Sequence, residues 1–254
     1  AEPTAVLHEV SVHRLPNGAL RGSARVSGLG LQPHDNQPGI QGVSGALRFD
    51  AHGGAFTFAP GAVRIDWPVG LRQPLDMSLR GTVAWWKDGE GWSVGTDALR
   101  IAGQDFGMDT RLLLAFQDGS LPRMDLAANL DPSTFASAKK FWIMHKMPAA
   151  TVKWLDDALV EGQVLDGRIS IGGDLDDWPF RNHSGVFDAR ATVRDATLKF
   201  HPDWPAGQDM DIDLAFDGPG FTLAGTGEIQ GTRVDTVSGG IPDFHAPLLA
   251  LDIA

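Results

Sequence analysis

The feature that most constrains the fold of this chain is an alternation of apolar and polar residues with a period of two. In residues 43–49, Val43, Leu47 and Phe49 fall on one side of an extended strand, and polar or small residues fall between them. Turn signals such as Pro16-Asn17-Gly18 separate segments of this kind about every 8–12 residues, which is typical of an all-β protein. The sequence therefore predicts a mainly antiparallel all-β fold.

A short helical insertion near residues 132–160 interrupts the strands. A first helix is predicted to begin at Asp131-Pro132-Ser133, where proline suits the first turn, and to end before Pro148. A second helix is predicted over residues 149–160, with apolar residues at i, i+3 and i+7, and Gly162 is expected to stop it. We expect three parts: a first β unit (1–130), a helical connector (131–161) and a second β unit (162–254).

Composition excludes several classes of function. The net charge of −11 argues against the basic clusters that a phosphate backbone requires, so we expect no nucleic-acid partner. The absence of cysteine removes disulfides, thiolate metal sites and cysteine nucleophiles. No apolar run reaches the ~18 residues that cross a bilayer, and no signal peptide is recognisable. We expect a segment of a longer protein whose anchor lies elsewhere.

An internal repeat relates two stretches of strands. Residues 22–50 align without a gap onto residues 189–217, an offset of 167, with identity at 9 of 29 positions. The pattern Leu-x-Phe-Asp occurs at 47–50 and at 214–217, and Phe-Thr follows at 56–57 and, two residues sooner, at 221–222. Unrelated hairpins can share such patterns, but the matching prolines upstream favour a true repeat of stacked β units.

No motif in the sequence indicates catalysis or a metal site. Asp209, Asp211 and Asp213 share one strand face through their i, i+2 spacing. Carboxylates suit calcium, but no glycine-centred calcium loop accompanies them, and a solvated strand face is favoured. The histidines form neither HxxxH nor HExxH, and neither a nucleophile elbow nor a phosphate-binding loop is present. We expect no catalytic residue, no metal, no cofactor and no enzymatic activity; a hydrolase would need two carboxylates converging in a deep pocket.

The apolar strand faces and the tryptophans leave two interpretations open. In a closed sandwich, two apolar faces bury each other, whereas in an open, curved sheet such a face lines a groove that holds something apolar. An exposed planar row of tryptophan rings would instead indicate a secreted carbohydrate-binding or adhesin-like β-sandwich, although each ring also serves as a core anchor. The eight tryptophans are Trp67, Trp85, Trp86, Trp92, Trp142, Trp154, Trp178 and Trp204.

An ordered series of short motifs runs through the second half of the chain. It comprises MP (147–148), WLD (154–156), ALV (158–160), GDL (173–175), PF (179–180), GVFDA (185–189), ATL (196–198), WP (204–205), FDG (216–218), GTRV (231–234) and IPD (241–243). This series resembles the central domain of the YhdP family, the large AsmA-like envelope proteins of Gram-negative bacteria. The resemblance covers about residues 139–254 well and the preceding residues more weakly.

The resemblance implies an elongated, curved, groove-forming β-sheet of repeated units, held in the inner membrane by an N-terminal helix outside this segment and extending through the periplasm. It implies transport of phospholipid between the inner and outer membranes, with acyl chains as the partner of the groove and membranes contacted by other parts of the protein. The helical insertion is expected either to cap or gate the groove or to pack as core.

Ten apolar residues on two pairs of strands are the predicted lining of this groove. They are Leu47, Phe49, Phe56, Phe58, Met210, Ile212, Leu214, Phe216, Phe221 and Leu223.

Overall fold

The computed structural model describes residues 3–145, 147–246 and 248–254, and it divides into two compact units, Ala1–Leu126 and Ala127–Ala254. The predicted all-β, antiparallel class is confirmed. The strands of unit 1 are β1 (Thr4–Arg14), β2 (Leu20–Leu31), β3 (Gly39–Phe49), β4 (Gly53–Phe58), β5 (Val63–Asp66), β6 (Leu75–Asp88), β7 (Gly91–Gly103) and β8 (Gly107–Phe116). β9 (Arg123–Leu130) spans the boundary between the units.

Unit 2 contains the helical insertion and the remaining strands. Its strands are β10 (Ser133–Thr134), β11 (Leu159–Asp174), β12 (Val186–Leu198), β13 (Gly207–Asp217), β14 (Gly220–Ile229), β15 (Thr232–Ile241) and β16 (Ala250–Ile253). The predicted strand over 247–253 thus begins at Ala250 among the described residues, and Pro247 lies outside them. No helix in the described part of the chain is long and apolar enough to cross a membrane.

Each unit is built on one antiparallel sheet with consecutive strands side by side. In unit 1 the order is β1-β2-β3-β4-β6-β7-β8, and the short β5 pairs with β3 and β6; in unit 2 the order is β11-β12-β13-β14-β15-β16, and β10 pairs with β11. Connections of two or three residues join β3 to β4, β6 to β7, β7 to β8, β13 to β14 and β14 to β15. Antiparallel pairing aligns the polar and apolar alternation of each strand with that of its neighbours. The apolar side of each sheet is called its inner face below.

The helical insertion is shorter than predicted and lies within unit 2. Its helices are α1 (Phe135–Ala138), a 3-10 turn (Lys139–Phe141) and α2 (Ala149–Ala158). The predicted extension of the second helix to residue 160 is wrong, because β11 already begins at Leu159, which pairs with Leu198, and Gly162 lies inside that strand. The Lys139 ammonium donates to the backbone oxygens of Asp156 and Leu159 at 2.9 and 2.5 Å, which satisfies carbonyls at the end of α2.

The helices pack as core, which was one of the two roles expected for them. Phe135 of α1 is 3% exposed and belongs to the main hydrophobic cluster of unit 2 with Val193 and Met210. On α2, Val152 is buried, and the Trp154 indole donates to the backbone oxygen of Phe200 at 2.9 Å. The insertion therefore closes one end of the inner face of unit 2.

Bulges interrupt the strand pairing three or four residues from one end of four strands. In β2 and β3, Gly28 (φ 62°) and Gly42 (φ 83°) adopt the left-handed conformation beside shifts of register. In β12 and β13, Asp195 (φ 50°) and Asp209 (φ 46°) do the same. A bulge bends its strand and increases its local twist, so each of these strands turns across its inner face instead of running flat.

The internal repeat is present in three dimensions. The offset of 167 maps Gly28 onto Asp195 and Gly42 onto Asp209, so the bulges themselves repeat. It also maps the pair Leu47–Phe56 onto Leu214–Leu223 and the pair Phe49–Gly54 onto Phe216–Phe221. The register extends through β4 and β14 without a gap, so Phe221-Thr222 are equivalent to Gly54-Ala55, two residues before the Phe56-Thr57 motif.

The paired bulge positions give a test of backbone strain. Nothing lies within 4 Å of a Cβ placed on Gly28, so Gly28→Ala changes the conformational preference with no clash. We expect the free energy of unfolding to fall by about 1 kcal/mol, because left-handed backbone disfavours a residue with a Cβ. Asp195→Gly, at the repeat-related position, serves as the control and should not lower stability in a urea titration. Equal losses in both variants would show that the φ angles are not equivalent.

Candidate apolar groove

The predicted lining residues of unit 1 lie together on its inner face. Leu47 of β3 stands opposite Phe56 of β4, and Phe58 stands opposite Gly45. The rings of Phe56 and Phe58 meet edge to face with centroids 5.2 Å apart. All four predicted side chains of this unit are half-buried, so each presents apolar surface to solvent as well as to the sheet.

Register extends this apolar surface across the neighbouring strands. One cross-strand row runs Ala24, Leu47, Phe56, Val83, and a second runs Gly22, Phe49, Gly54, Trp85, Val94, Leu114. The glycines of the second row make room for aromatic rings: a Cβ on Gly22 would lie 2.7 Å from Phe49 Cζ, and one on Gly54 would lie 2.3 Å from Trp85 Cζ2. The rings therefore lie flat over the backbone of adjacent strands and form a continuous apolar surface.

The predicted lining residues of unit 2 fall into two sets. Met210 and Ile212 are 1% exposed and Leu223 is 4% exposed, so these three side chains are packed in the hydrophobic core. Leu214, Phe216 and Phe221 are half-buried and continue the same face toward the end of their strands. The inner face of unit 2 thus has a closed, core-like part and an accessible part, here called its rim.

Two cross-strand rows connect the half-buried residues of the rim with the buried residues Leu223 and Ile241. One contains Ala191, Leu214, Leu223, Gly239 and Leu251, and the other contains Ile169, Ala189, Phe216, Phe221 and Ile241. Each row spans five strands without a charged residue. A ligand lying across these strands would therefore meet apolar side chains continuously.

Each unit also carries an open concavity. The concavity of unit 1 has a volume of about 730 Å³, and its lining includes Phe49 and Trp85 together with Arg48 of the polar face. The concavity of unit 2 has a volume of about 760 Å³, and its lining includes Leu214 together with Thr192 and Asp213, which pair on the polar face. Both volumes fall in the range of pockets that hold small organic ligands, but neither concavity is confined to the apolar rows.

Two loops of unit 2 meet at the rim. In the loop after β15, Phe244 stacks on Phe221 with centroids 5.8 Å apart and planes 8° apart, and it lies 6.3 Å from Phe216. In the loop after β11, the Arg181 guanidinium forms an ion pair with Asp243. The backbone N–H of His245, together with Arg181, holds the pKa of Asp243 below its ordinary value, so this carboxylate is ionised at neutral pH.

The outer face of unit 2 is charged and hydrogen-bonded. Asp209, Asp211 and Asp213 are all exposed there. Asp213 accepts from the Thr192 hydroxyl at 2.9 Å, and Asp211 accepts from the backbone N–H of Asp195 at 3.3 Å. These carboxylates therefore support the strand pairing around a bulge. Among residues 3–145, 147–246 and 248–254, no group of three histidine or acidic side chains is arranged to hold a metal.

The tryptophans do not favour the sugar-binding alternative. Trp178 packs against Phe187 at 4.9 Å, Trp204 lies beside His201, and the Lys87 ammonium lies 5.8 Å from the ring centroid of Trp92. Each of these exposed rings has a partner from its own strand region or loop, and this differs from the planar row that a sugar-binding surface requires. No observation favours an adhesin-like sandwich.

Sequence reasoning missed three residues of the candidate site. Trp85 was noted as a tryptophan but was not assigned to the inner face; its position two residues after Val83 was the available signal. Phe244 and Arg181 carry no periodic signal because both lie in loops. Only the folded chain brings them to the rim.

A bent antiparallel sheet with a contiguous, partly open apolar face defines a class of protein that presents a groove instead of an enclosed catalytic pocket. The chain belongs to the YhdP family: the family model described as "YhdP protein" matches residues 1–254. A relative from Escherichia coli strain K12, the intermembrane phospholipid transporter YhdP, is 22% identical over 217 residues. That match covers 85% of this chain and 17% of the relative, so the chain spans about a sixth of the relative's length. No solved structure gives a significant match.

Proposed function

We propose that this chain is a segment of a periplasm-spanning lipid-transfer protein whose inner faces conduct phospholipid between the inner and outer membranes. The observation that carries the proposal is the pair of apolar rows in each unit, contiguous over four to six strands and half-exposed at the rim. The name of the E. coli relative, an intermembrane phospholipid transporter, supports the same function. A membrane anchor would lie outside this segment, at the N-terminus of the longer protein.

The physical basis of the proposed transport is the removal of acyl chains from water. Burying each methylene contributes about 0.8 kcal/mol, so a face that stays apolar from strand to strand avoids the large cost of moving two acyl chains through water. Headgroups remain near solvent where half-buried residues, such as Phe49 of unit 1 and Phe216 at the rim of unit 2, meet polar strand ends. Movement then requires weak, repeated contacts and no tight site. No covalent chemistry is involved, which is consistent with the absence of a catalytic motif in the sequence.

The two sets of lining residues have different proposed roles. Leu47, Phe49, Phe56, Phe58, Leu214, Phe216 and Phe221 touch acyl chains directly, because each exposes part of its side chain. Met210, Ile212 and Leu223 support that surface from beneath, because they are almost fully buried. Each β unit presents its own apolar inner face, and Phe135 of the helical segment packs in the core of unit 2.

Native mass spectrometry with lipid extraction tests the proposal. The segment is purified without strong detergent from a Gram-negative host, and bound lipid is identified after release. We expect phospholipid to co-purify at one or more molecules per chain. A lipid-free mass in every preparation, together with no binding of an environment-sensitive apolar dye, would contradict an accessible apolar face.

A further inference from the structure

The loop after β15 places an anion and an aromatic ring side by side on the rim of unit 2. Asp243 pairs with Arg181, and the next residue, Phe244, stacks over Phe221 and Phe216. The backbone N–H of Phe244 donates to the oxygen of Pro219 at 2.8 Å, and that of His245 donates to Asp243 at 2.7 Å. The loop is therefore docked through an ion pair, a ring stack and the hydrogen bond to Pro219, and the hydrogen bond from His245 to Asp243 lies within the loop.

The surface under the loop has two chemically distinct parts. One part is the guanidinium of Arg181. The preceding residue, Phe180, is 3% exposed and packs against Gly173 and Gly185, so it anchors Arg181 at the end of the sheet. The other is the apolar row that contains Phe216 and Phe221, which lie where β13 ends and β14 begins. A fixed cation beside an apolar strip is complementary to a phosphate joined to an acyl chain.

We propose that Arg181, Phe216 and Phe221 form a binding site for a phosphate-bearing lipid, and that Asp243 and Phe244 occupy this site when no lipid is bound. The carboxylate of Asp243 takes the place of the lipid phosphate, and the ring of Phe244 takes the place of the first part of an acyl chain. The inference rests on the proposed function, because it names the site at which a conducted lipid is recognised.

The residues that hold the loop in place are partly exposed, as expected for a segment that exchanges with a ligand. Arg181 and Asp243 both remain substantially exposed, at 44% and 40%, so their pairing is screened by solvent and by salt. Phe244 is 42% exposed, so it covers the two rings beneath it while its own outer side faces solvent. A lipid supplies a phosphate for the same guanidinium and a longer apolar chain for the same strip, so it competes with both loop contacts at once.

The site is specific to unit 2. The repeat places Phe49 and Gly54 of unit 1 at the positions of Phe216 and Phe221. In unit 1 the ring of Trp85, contributed by a neighbouring strand, lies over Gly54. The equivalent row therefore differs between the units. In unit 1 it is a fixed aromatic surface, and in unit 2 it is an apolar surface beside a cation, covered by a loop that a lipid would displace.

Two fluorescent lipids with the same acyl chains test the proposal on the whole segment. One is a labelled phosphatidylethanolamine and the other is a labelled diacylglycerol, which lacks the phosphate. Arg181→Gln should weaken phosphatidylethanolamine binding by about tenfold, the loss of one charge-assisted hydrogen bond, and should leave diacylglycerol binding unchanged or tighter. Phe244→Ala should tighten binding of both lipids. Arg233→Gln removes an exposed arginine that pairs with Asp235 on β15 and serves as the control, with no expected change.

The outcomes separate this inference from the proposed function. If the wild-type segment binds neither lipid, the proposed function fails and this site fails with it. If both lipids bind and Arg181→Gln affects them equally or not at all, the proposed lipid-binding function is supported and the proposed phosphate site is wrong. If Phe244→Ala weakens binding, the loop is part of the site and does not compete for it. Full displacement of phosphatidylethanolamine by inorganic phosphate alone would identify a free-phosphate site instead of a lipid site.

Discussion

Leu214→Asp is expected to abolish lipid retention by unit 2 while the sheet remains folded. Leu214 stands opposite Leu223 and Ala191 in a row that spans five strands, and its side chain is half-buried. An ionised carboxylate there must lose water whenever an acyl chain lies over it, and burying an unpaired charge costs several kcal/mol. Lipid recovered by extraction should therefore fall by more than about tenfold, and transport by the full-length protein should stop.

The adjacent residue provides a matched control for this substitution. Ala215 lies on the opposite face of the same strand, between Arg190 and Thr222, so Ala215→Asp adds the same charge one residue away without touching the groove. Leu47→Asp and Ala46→Asp form the corresponding pair in unit 1. Circular dichroism and melting temperature confirm folding of all four variants. Equal lipid retention by Leu214→Asp and Ala215→Asp, with both folded, would mean that the inner face does not carry lipid.

Ile212→Ala is expected to lower the free energy of unfolding of unit 2 by about 2–5 kcal/mol, the usual cost of removing a large aliphatic side chain from a packed core. Ile212 is 1% exposed and packs in one cluster with Val193, Met210 and Phe135. The cluster joins four strands, β12 to β15, to the helical insertion, so a cavity there weakens the contact of the insertion with the sheet. Urea unfolding followed by tryptophan fluorescence measures the loss.

Gln208→Ala is the control for the core substitution, because Gln208 lies on the same strand and is exposed. Its effect should stay within about 0.5 kcal/mol, as for other surface changes. A loss below about 1 kcal/mol for Ile212→Ala would contradict close packing of this part of the inner face, since buried aliphatic truncations cost more than that. Met210 and Ile212 would then belong with the accessible lining residues.

The alternation within each strand made most of the sheet predictable. Residues such as Leu47 and Phe49, or Leu214 and Phe216, occupy one face because side chains of a strand point alternately to its two sides. The repeat followed from the same pattern, and the structure extends it to the strand pairs Leu47–Phe56 and Leu214–Leu223. The local sequence therefore predicted both the class of fold and which residues share each apolar face.

The depth of each residue within a face was not predictable from alternation. Met210 and Leu214 are equivalent by period, yet the first is in the core and the second is accessible. Met210 belongs to the hydrophobic cluster that includes Phe135 of the helical insertion, whereas Leu214 packs at the edge of that cluster. The bulges at Asp195 and Asp209 were also not predictable, because these residues lack the freedom of glycine. Contacts of a loop with a distant strand, such as Phe244 on Phe221, depend on the completed sheet and produce no signal in the local sequence.

Site-specific photo-crosslinking along β3 tests most directly whether the inner face carries phospholipid. A photoreactive phenylalanine analogue is placed singly at positions 46, 47, 48 and 49 of the full-length protein in intact cell envelopes, and lipid adducts are identified by mass spectrometry. Leu47 and Phe49 are half-buried on the inner face, whereas Ala46 and Arg48 are exposed on the outer face. The account predicts phospholipid adducts at 47 and 49 and none at 46 and 48. Adducts at all four positions, or at 46 and 48 alone, would contradict it.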